Sequence, residues 1–153
     1  MKTTSAFEVY NVFAETLSEI VTTVSGISLN TLPAAADAGF DEIIGVTNLI
    51  GSKAGVFFVS ANEEDIRIIS SFMTGTPKDE VTKDDINDTM CEIVNITAGN
   101  VKLRVSDTDY RFTFTVPYAI CGQSMSIVVN NSVQIFSSVL KNDEISLKVK
   151  LVY

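Results

Sequence analysis

TKDDINDTMCEIVNITAGNVKLR, residues 82–104, is a long segment with two faces of opposite character. With Glu92 at the origin and about 100° per residue, Ile86, Met90, Ile93, Val94, Thr97 and Val101 gather between about 100° and 200°. That is the stripe a helix turns toward a core. Asp88, Glu92, Asn95 and Gly99 gather between about −60° and 0°, opposite the stripe. Glu92 and Asn95, three apart, are surface neighbours able to touch one target together. Thr82 followed by Asp85 supplies a capping start, and Ser106-Asp107-Thr108-Asp109 ends the helix. A mid-helix glycine costs about 1 kcal/mol against alanine, so Gly99 on the outer face has no helix-forming reason to be there. Its missing side chain would let another backbone come close.

Upstream, residues 62–73 read as a shorter helix closed by Gly75 and Pro77, with Ser60 and Glu63 as its expected capping pair. Before it, β-like runs at 43–50 and 54–60 are joined by Gly51-Ser52-Lys53, which suits an antiparallel hairpin. The small-residue stretch 33–39 reads as a connection. Residues 5–24 carry Val9, Phe13, Leu17, Ile20, Val21 and Val24 at helical spacing, opened by a Ser5–Glu8 capping box. Downstream, runs rich in β-branched and aromatic residues at 111–116, 125–129, 133–140 and 144–152 predict strands. Asn130-Asn131 and Lys141-Asn142-Asp143 mark turns between them. This order predicts an α+β fold, a mostly antiparallel sheet covered by helices, in a single domain over 1–153.

Nineteen Asp and Glu against eleven Lys and Arg give a net charge of −8, which disfavours nucleic acid and anionic lipid as partners. No run approaches the roughly 20 apolar residues of a membrane span. Met1-Lys2-Thr3-Thr4-Ser5 opens no signal peptide, so a cytoplasmic location is expected. The chain has no histidine, which removes the commonest general base and zinc ligand. Cys91 and Cys121 are too few for a disulfide framework and are expected to be reduced. Asp84 and Asp85 suit the positive end of a helix dipole better than a metal site, and no metal ligands are assigned.

The string from Asp88 to Asn100 resembles the Glu-x-x-Asn helix of the CheX, CheC and FliY phosphatases, in which an acidic residue precedes the Glu by four and a Gly follows the Asn by four. Ile43-Ile44-Gly45 through Gly51-Ser52-Lys53-Ala54-Gly55 is similar to the family's strand-turn-strand. Pro117-Tyr118-Ala119-Ile120-Cys121-Gly122 is similar to its Pro-x-x-x-x-Gly segment. One strong motif and this length favour the CheX type over the two-motif CheC type.

The resemblance implies hydrolysis of the phospho-aspartate of a CheY-like response regulator. Asn95 would orient the attacking water and Glu92 would pair with a lysine of the partner, with Asp88, Ile96 and Gly99 as partner contacts. It further implies a homodimer and a Mg²⁺ supplied by the regulator, with no cofactor in this chain. An amide suits the task because it accepts a proton from water without ionising, and positioning dominates phosphoryl-transfer catalysis.

A second Glu-x-x-Asn, Glu8 and Asn11, lies in the first helix, but Glu8 is explained by capping and Glu15 stands where the motif prefers Gly. Ile96 and Leu103 flank the active stripe, as partner contacts or as packing against another element. Cys91 beside that stripe is read as a small filler. Two other readings are a module that binds response regulators without hydrolysis and a dimerisation domain. An intact water-positioning amide argues against the first, and the second does not exclude catalysis.

Overall fold

In the computed structural model, Ser5 opens α1 (Ala6–Ser25) through the expected reciprocal cap: Glu8 N donates to Ser5 Oγ, and Ser5 N donates to Glu8 Oε2 at 2.7 Å. Residues 1–36 and 38–153 are described. Gly26 ends α1 at φ 72°, a left-handed position that glycine takes without strain. The predicted hairpin is β2 (Ile43–Gly51) and β3 (Gly55–Ala61), in antiparallel register with Ile43 opposite Ala61. Next comes α2 (Glu63–Thr74), capped by Asn62 and not by Ser60. Ser60 is buried in β3, where its hydroxyl accepts from Asp41 N at 3.3 Å, so it is unavailable as a cap. A 3₁₀ turn at Lys78–Glu80 leads to α3 (Lys83–Arg104), which Thr82 and Asp85 cap reciprocally.

The remaining strands are β1 (Asn30–Pro33), β4 (Phe112–Phe114), β5 (Tyr118–Cys121), β6 (Ile135–Lys141) and β7 (Ser146–Val152). They complete an antiparallel sheet in the order β1-β6-β7-β3-β2-β4, with β5 also paired to β2. β1 and β5 lie outside the strands that the sequence predicts, and one predicted strand does not form. Residues 30–33 form an edge strand against β6, a place where Pro33 costs little because an edge N–H need not be paired. The rest of the small-residue stretch is a connection, with Asp37 outside the described residues.

Residues 125–129 are not a strand. Met125 and Ile127 pack against Phe40, Ile44 and Val46 on the second face of the sheet, while Ser126 and Val128 are exposed. The side chains therefore alternate between inside and outside as in a strand, but the segment pairs with no described strand, so the Asn130 turn joins no hairpin. The turn at residues 141–143 does join β6 to β7, with Asn142 N donating to Ile145 O.

The main core lies between the helices and the other face. Phe13 and Leu17 of α1, Ile66 and Ile69 of α2, and Met90 and Ile93 of α3 are fully buried together with Phe57 and Leu147 of the sheet. The helix α3 crosses β2 at Gly45, where a Cβ would stand 2.7 Å from Val94 Cγ2 and 2.8 Å from Met90 Cγ. Only glycine lets the helix backbone settle that close to the strand.

Candidate functional site

Burial of Ile86, Met90, Ile93, Val94, Thr97 and Val101 fixes the rotation of α3, as the sequence predicts. The opposite face is thereby held outward: Asp88, Glu92 and Asn95 are exposed and Gly99 is half-buried. Among the described residues, neither the Glu92 carboxylate nor the Asn95 carboxamide has a hydrogen-bond or ion-pair partner. One turn on, Asn100 behaves differently, donating to Ile96 O at 2.9 Å. The Glu92–Asn95 pair thus presents a carboxylate and an amide with their bonding capacity open to a second molecule.

Asp88, Cys91, Glu92 and Asn95 share a shallow depression of about 340 Å³ with Val116 and Pro117. The sequence reading did not include Val116, and its position comes from a break in the sheet. Along its free edge β2 pairs with β5 over Ile43–Val46 and with β4 over Leu49–Gly51. Between the two, Thr115 bridges the gap: its N–H donates to Asn48 O, its hydroxyl accepts from Asn48 N at 3.1 Å, and its carbonyl accepts from Thr47 Oγ1 at 2.7 Å. Pro117 has no N–H with which to continue a ladder. The chain bulges there and leaves Val116 86% exposed beside the motif.

The other expected contacts divide. A Cβ on Gly99 would meet only Phe114 Cζ, at an ordinary 4.0 Å, so nothing within the chain demands a glycine. Ile96 is half-buried at a groove between α1 and α3, alongside Ile20 and Val24. Ile96 thus shares this groove with α1 while keeping part of its side chain exposed. Cys91 is half-buried, and burial, followed by the Asp88 carboxylate and Cys121, pushes its thiol up. The fold does bring Cys121 to the same flank of α3, where its Sγ lies 3.4 Å from Asn87 Oδ1.

The second Glu-x-x-Asn is built differently. Glu8 Oε2 accepts from Ser5 N, Ser5 Oγ and Thr4 Oγ1, all within 2.9 Å, and these bonds hold its carboxyl below the usual range. The carboxylate is engaged in its own helix cap, unlike that of Glu92. Asp85 is engaged in the same way by Thr82. Among the described residues no group of three or more acidic or thiol side chains is arranged to hold a metal ion.

Residues 43–140 match the family described as chemotaxis phosphatase CheX, a span from β2 through α3 to the end of β6 that covers well over half of the sequence. The chain belongs to the CheX family. Solved structures with the same fold include a CheC-like superfamily protein from Shewanella sp. PV-4, with TM-score 0.82, 17% identity, and 97% of this chain and 98% of that one covered. The chemotaxis protein CheX from Vibrio vulnificus aligns at TM-score 0.80 and 16% identity over 94% of this CheX-family chain and 97% of its own. The CheX–CheY–BeF₃–Mg²⁺ complex from Borrelia burgdorferi aligns at 0.76 and 16%, covering 93% and 96%. No curated protein matches the sequence. No described helix of this CheX-family chain is long and apolar enough to cross a membrane.

Proposed function

We propose that this CheX-family chain is a phosphatase for the phospho-aspartate of a CheY-like receiver domain, working in the cytoplasm. The observation that carries the reading is the pair of unpartnered polar groups, Glu92 and Asn95, on the exposed face of α3. The family assignment supports phosphatase chemistry. The Borrelia relative, solved with CheY and a beryllium fluoride that stands in for the phosphoryl group, supports the partner class.

In this reading Asn95 accepts a hydrogen bond from a water and aims its oxygen at phosphorus, in line with the aspartyl oxygen. A P–O bond forms to the water, the P–O bond to the aspartate breaks, and the products are inorganic phosphate and a free carboxylate. Positioning of this kind accounts for much of the barrier lowering in phosphoryl transfer. Glu92 pairs with a lysine of the receiver and fixes the register between the two proteins. Asp88, Ile96 and Gly99 border this contact. Ile96 contributes from the α1–α3 groove, and the bare Gly99 admits the partner's backbone.

In this reading no residue of this chain ligates Mg²⁺, and Asp85 serves its helix cap. The receiver's own acidic pocket would carry the ion. A homodimer is part of the same reading. The four exposed residues of β1 leave a sheet edge to which a second copy can add, and light scattering at high micromolar concentration measures it. The activity is tested by incubating the chain with phosphorylated receiver domains and following phosphate release. The reading requires release faster than the receiver's own loss of phosphate, and dependent on Asn95.

A further inference from the structure

A second hollow opens on the same side of α3, two turns beyond Asn95. It has a volume of about 400 Å³, and its walls include Ile50 at the end of β2, Leu103 of α3 and Phe112 of β4. Leu103 is 73% exposed and Ile50 56% exposed, so two large apolar side chains meet water at one place. Lys102 and Arg111 stand at the rim. Neither forms an ion pair among the described residues, and the Arg111 guanidinium contacts only the Met1 sulfur, at 3.3 Å. Neighbouring cations are engaged: Arg104 holds Glu19 and Lys53 holds Asp109, each at 2.5 Å. On a chain of net charge −8, an apolar hollow flanked by two unpaired cations is a local reversal of sign.

Distance ties this hollow to the site already described. Leu103 is eight residues beyond Asn95, about 12 Å along the axis at 1.5 Å per residue. A protein interface of standard size covers about 800 Å² on each partner, equivalent to a disc of about 16 Å radius. A partner centred on Glu92 and Asn95 therefore reaches Leu103 and Ile50. The centre of its footprint and this edge also demand opposite charges: a cation at Glu92, carboxylates at Lys102 and Arg111. This polarity permits one docking direction and opposes the reverse, the usual way that charge sets specificity in an interface.

We infer that the Ile50–Leu103 hollow, with Lys102 and Arg111, is the selectivity contact for the substrate receiver domain, and that it takes an apolar side chain flanked by carboxylates on the receiver's surface. The inference rests on the phosphatase reading above. Leu103 and Lys102 act in recognition only, well away from the reacting phosphorus.

The experiment is steady-state phosphate release from a phosphorylated CheY-type receiver by the full chain and by Leu103→Ser and Lys102→Glu, with KM and kcat separated and oligomeric mass measured for each. Both positions are exposed, so the variants should fold, and circular dichroism checks this. The expected result is a KM at least tenfold higher for each variant, with kcat falling less than threefold and mass unchanged. An active wild type whose two variants keep its KM overturns the inference and leaves the phosphatase reading standing. Variants that change oligomeric mass without changing KM also overturn it and assign the hollow to a second copy of the chain. A wild type that releases no phosphate from any receiver removes both readings together.

Discussion

Gly45 of β2 lies directly beneath Val94 of α3, and a single methyl group at Gly45 would come within 2.7 Å of Val94 Cγ2. Val94 is the residue just before Asn95, so the depth at which α3 seats on the sheet sets the height of the candidate catalytic amide. Gly45→Ala is expected to lower stability by about 1–3 kcal/mol, the usual cost of overpacking a core, and to reduce turnover by displacing the helix. Removing the opposing Val94 methyl groups should relieve the closer of the two clashes, leaving the one with Met90, so Gly45→Ala with Val94→Ala should lose less than the two single changes summed. Urea unfolding of all four proteins measures the coupling, and strict additivity would refute the steric account.

Asn95→Ala and Glu92→Ala are expected to fail in different ways. The first removes the amide that orients water while leaving the docking surface, so binding of phosphorylated receiver should persist while hydrolysis slows at least tenfold, about 1.4 kcal/mol in the barrier. The second removes the charge that meets the partner's lysine, so affinity and turnover should both drop, most steeply at low salt. Both residues are exposed and unpartnered, so stability should change by no more than about 0.5 kcal/mol. Full activity in a folded Asn95→Ala protein would sink the proposed mechanism.

Glu8→Ala should separate the two Glu-x-x-Asn motifs. Because Glu8 is bonded into its own helix cap, its loss should weaken α1 and leave most of the turnover, as should Asn11→Ala. The cap also carries a pH signature. The folded-state pKa of Glu8 lies below its ordinary value of 4.5, owing first to the backbone bond from Ser5. A depressed carboxyl stabilises the fold above its unfolded pKa and stops doing so as pH falls through the folded value. The stability gap between wild type and Glu8→Ala is therefore expected in full at neutral pH and should close below pH 4.5. A gap that stays constant down to acid unfolding would show that the carboxylate's charge has no part in the cap.

The two thiols should differ in reactivity. Burial, Asp88 and Cys121 all push the half-buried Cys91 thiol up, while Cys121 is exposed. The thiolate is the reactive form, so iodoacetamide at mildly alkaline pH should alkylate Cys121 first, and mass spectrometry of the peptides reads the order. Faster labelling at Cys91 would mean that the flank of α3 is more open than this packing.

Local chemistry made most of the architecture legible in the chain itself. The caps at Ser5 and Thr82, the hairpin at residues 51–53 and the two-faced pattern of residues 82–104 each depend on residues within a turn or two, so their outcome is written in neighbouring letters. The outward direction of Glu92 and Asn95 followed from helical periodicity alone, because burial of the opposite stripe leaves a helix one rotation. Ser60 does not cap α2 because its hydroxyl is taken up by the amide of Asp41, nineteen residues away. Residues 125–129 alternate like a strand yet find no ladder, and residues 30–33 find one against β6; both results depend on which edge the distant β6 and β2 leave free. The exposure of Val116, the closeness of Gly45 to Val94, and the meeting of Ile50 with Leu103 are likewise products of the tertiary structure. Each joins residues far apart in sequence through sheet pairing and helix packing, and no local periodicity encodes such a meeting.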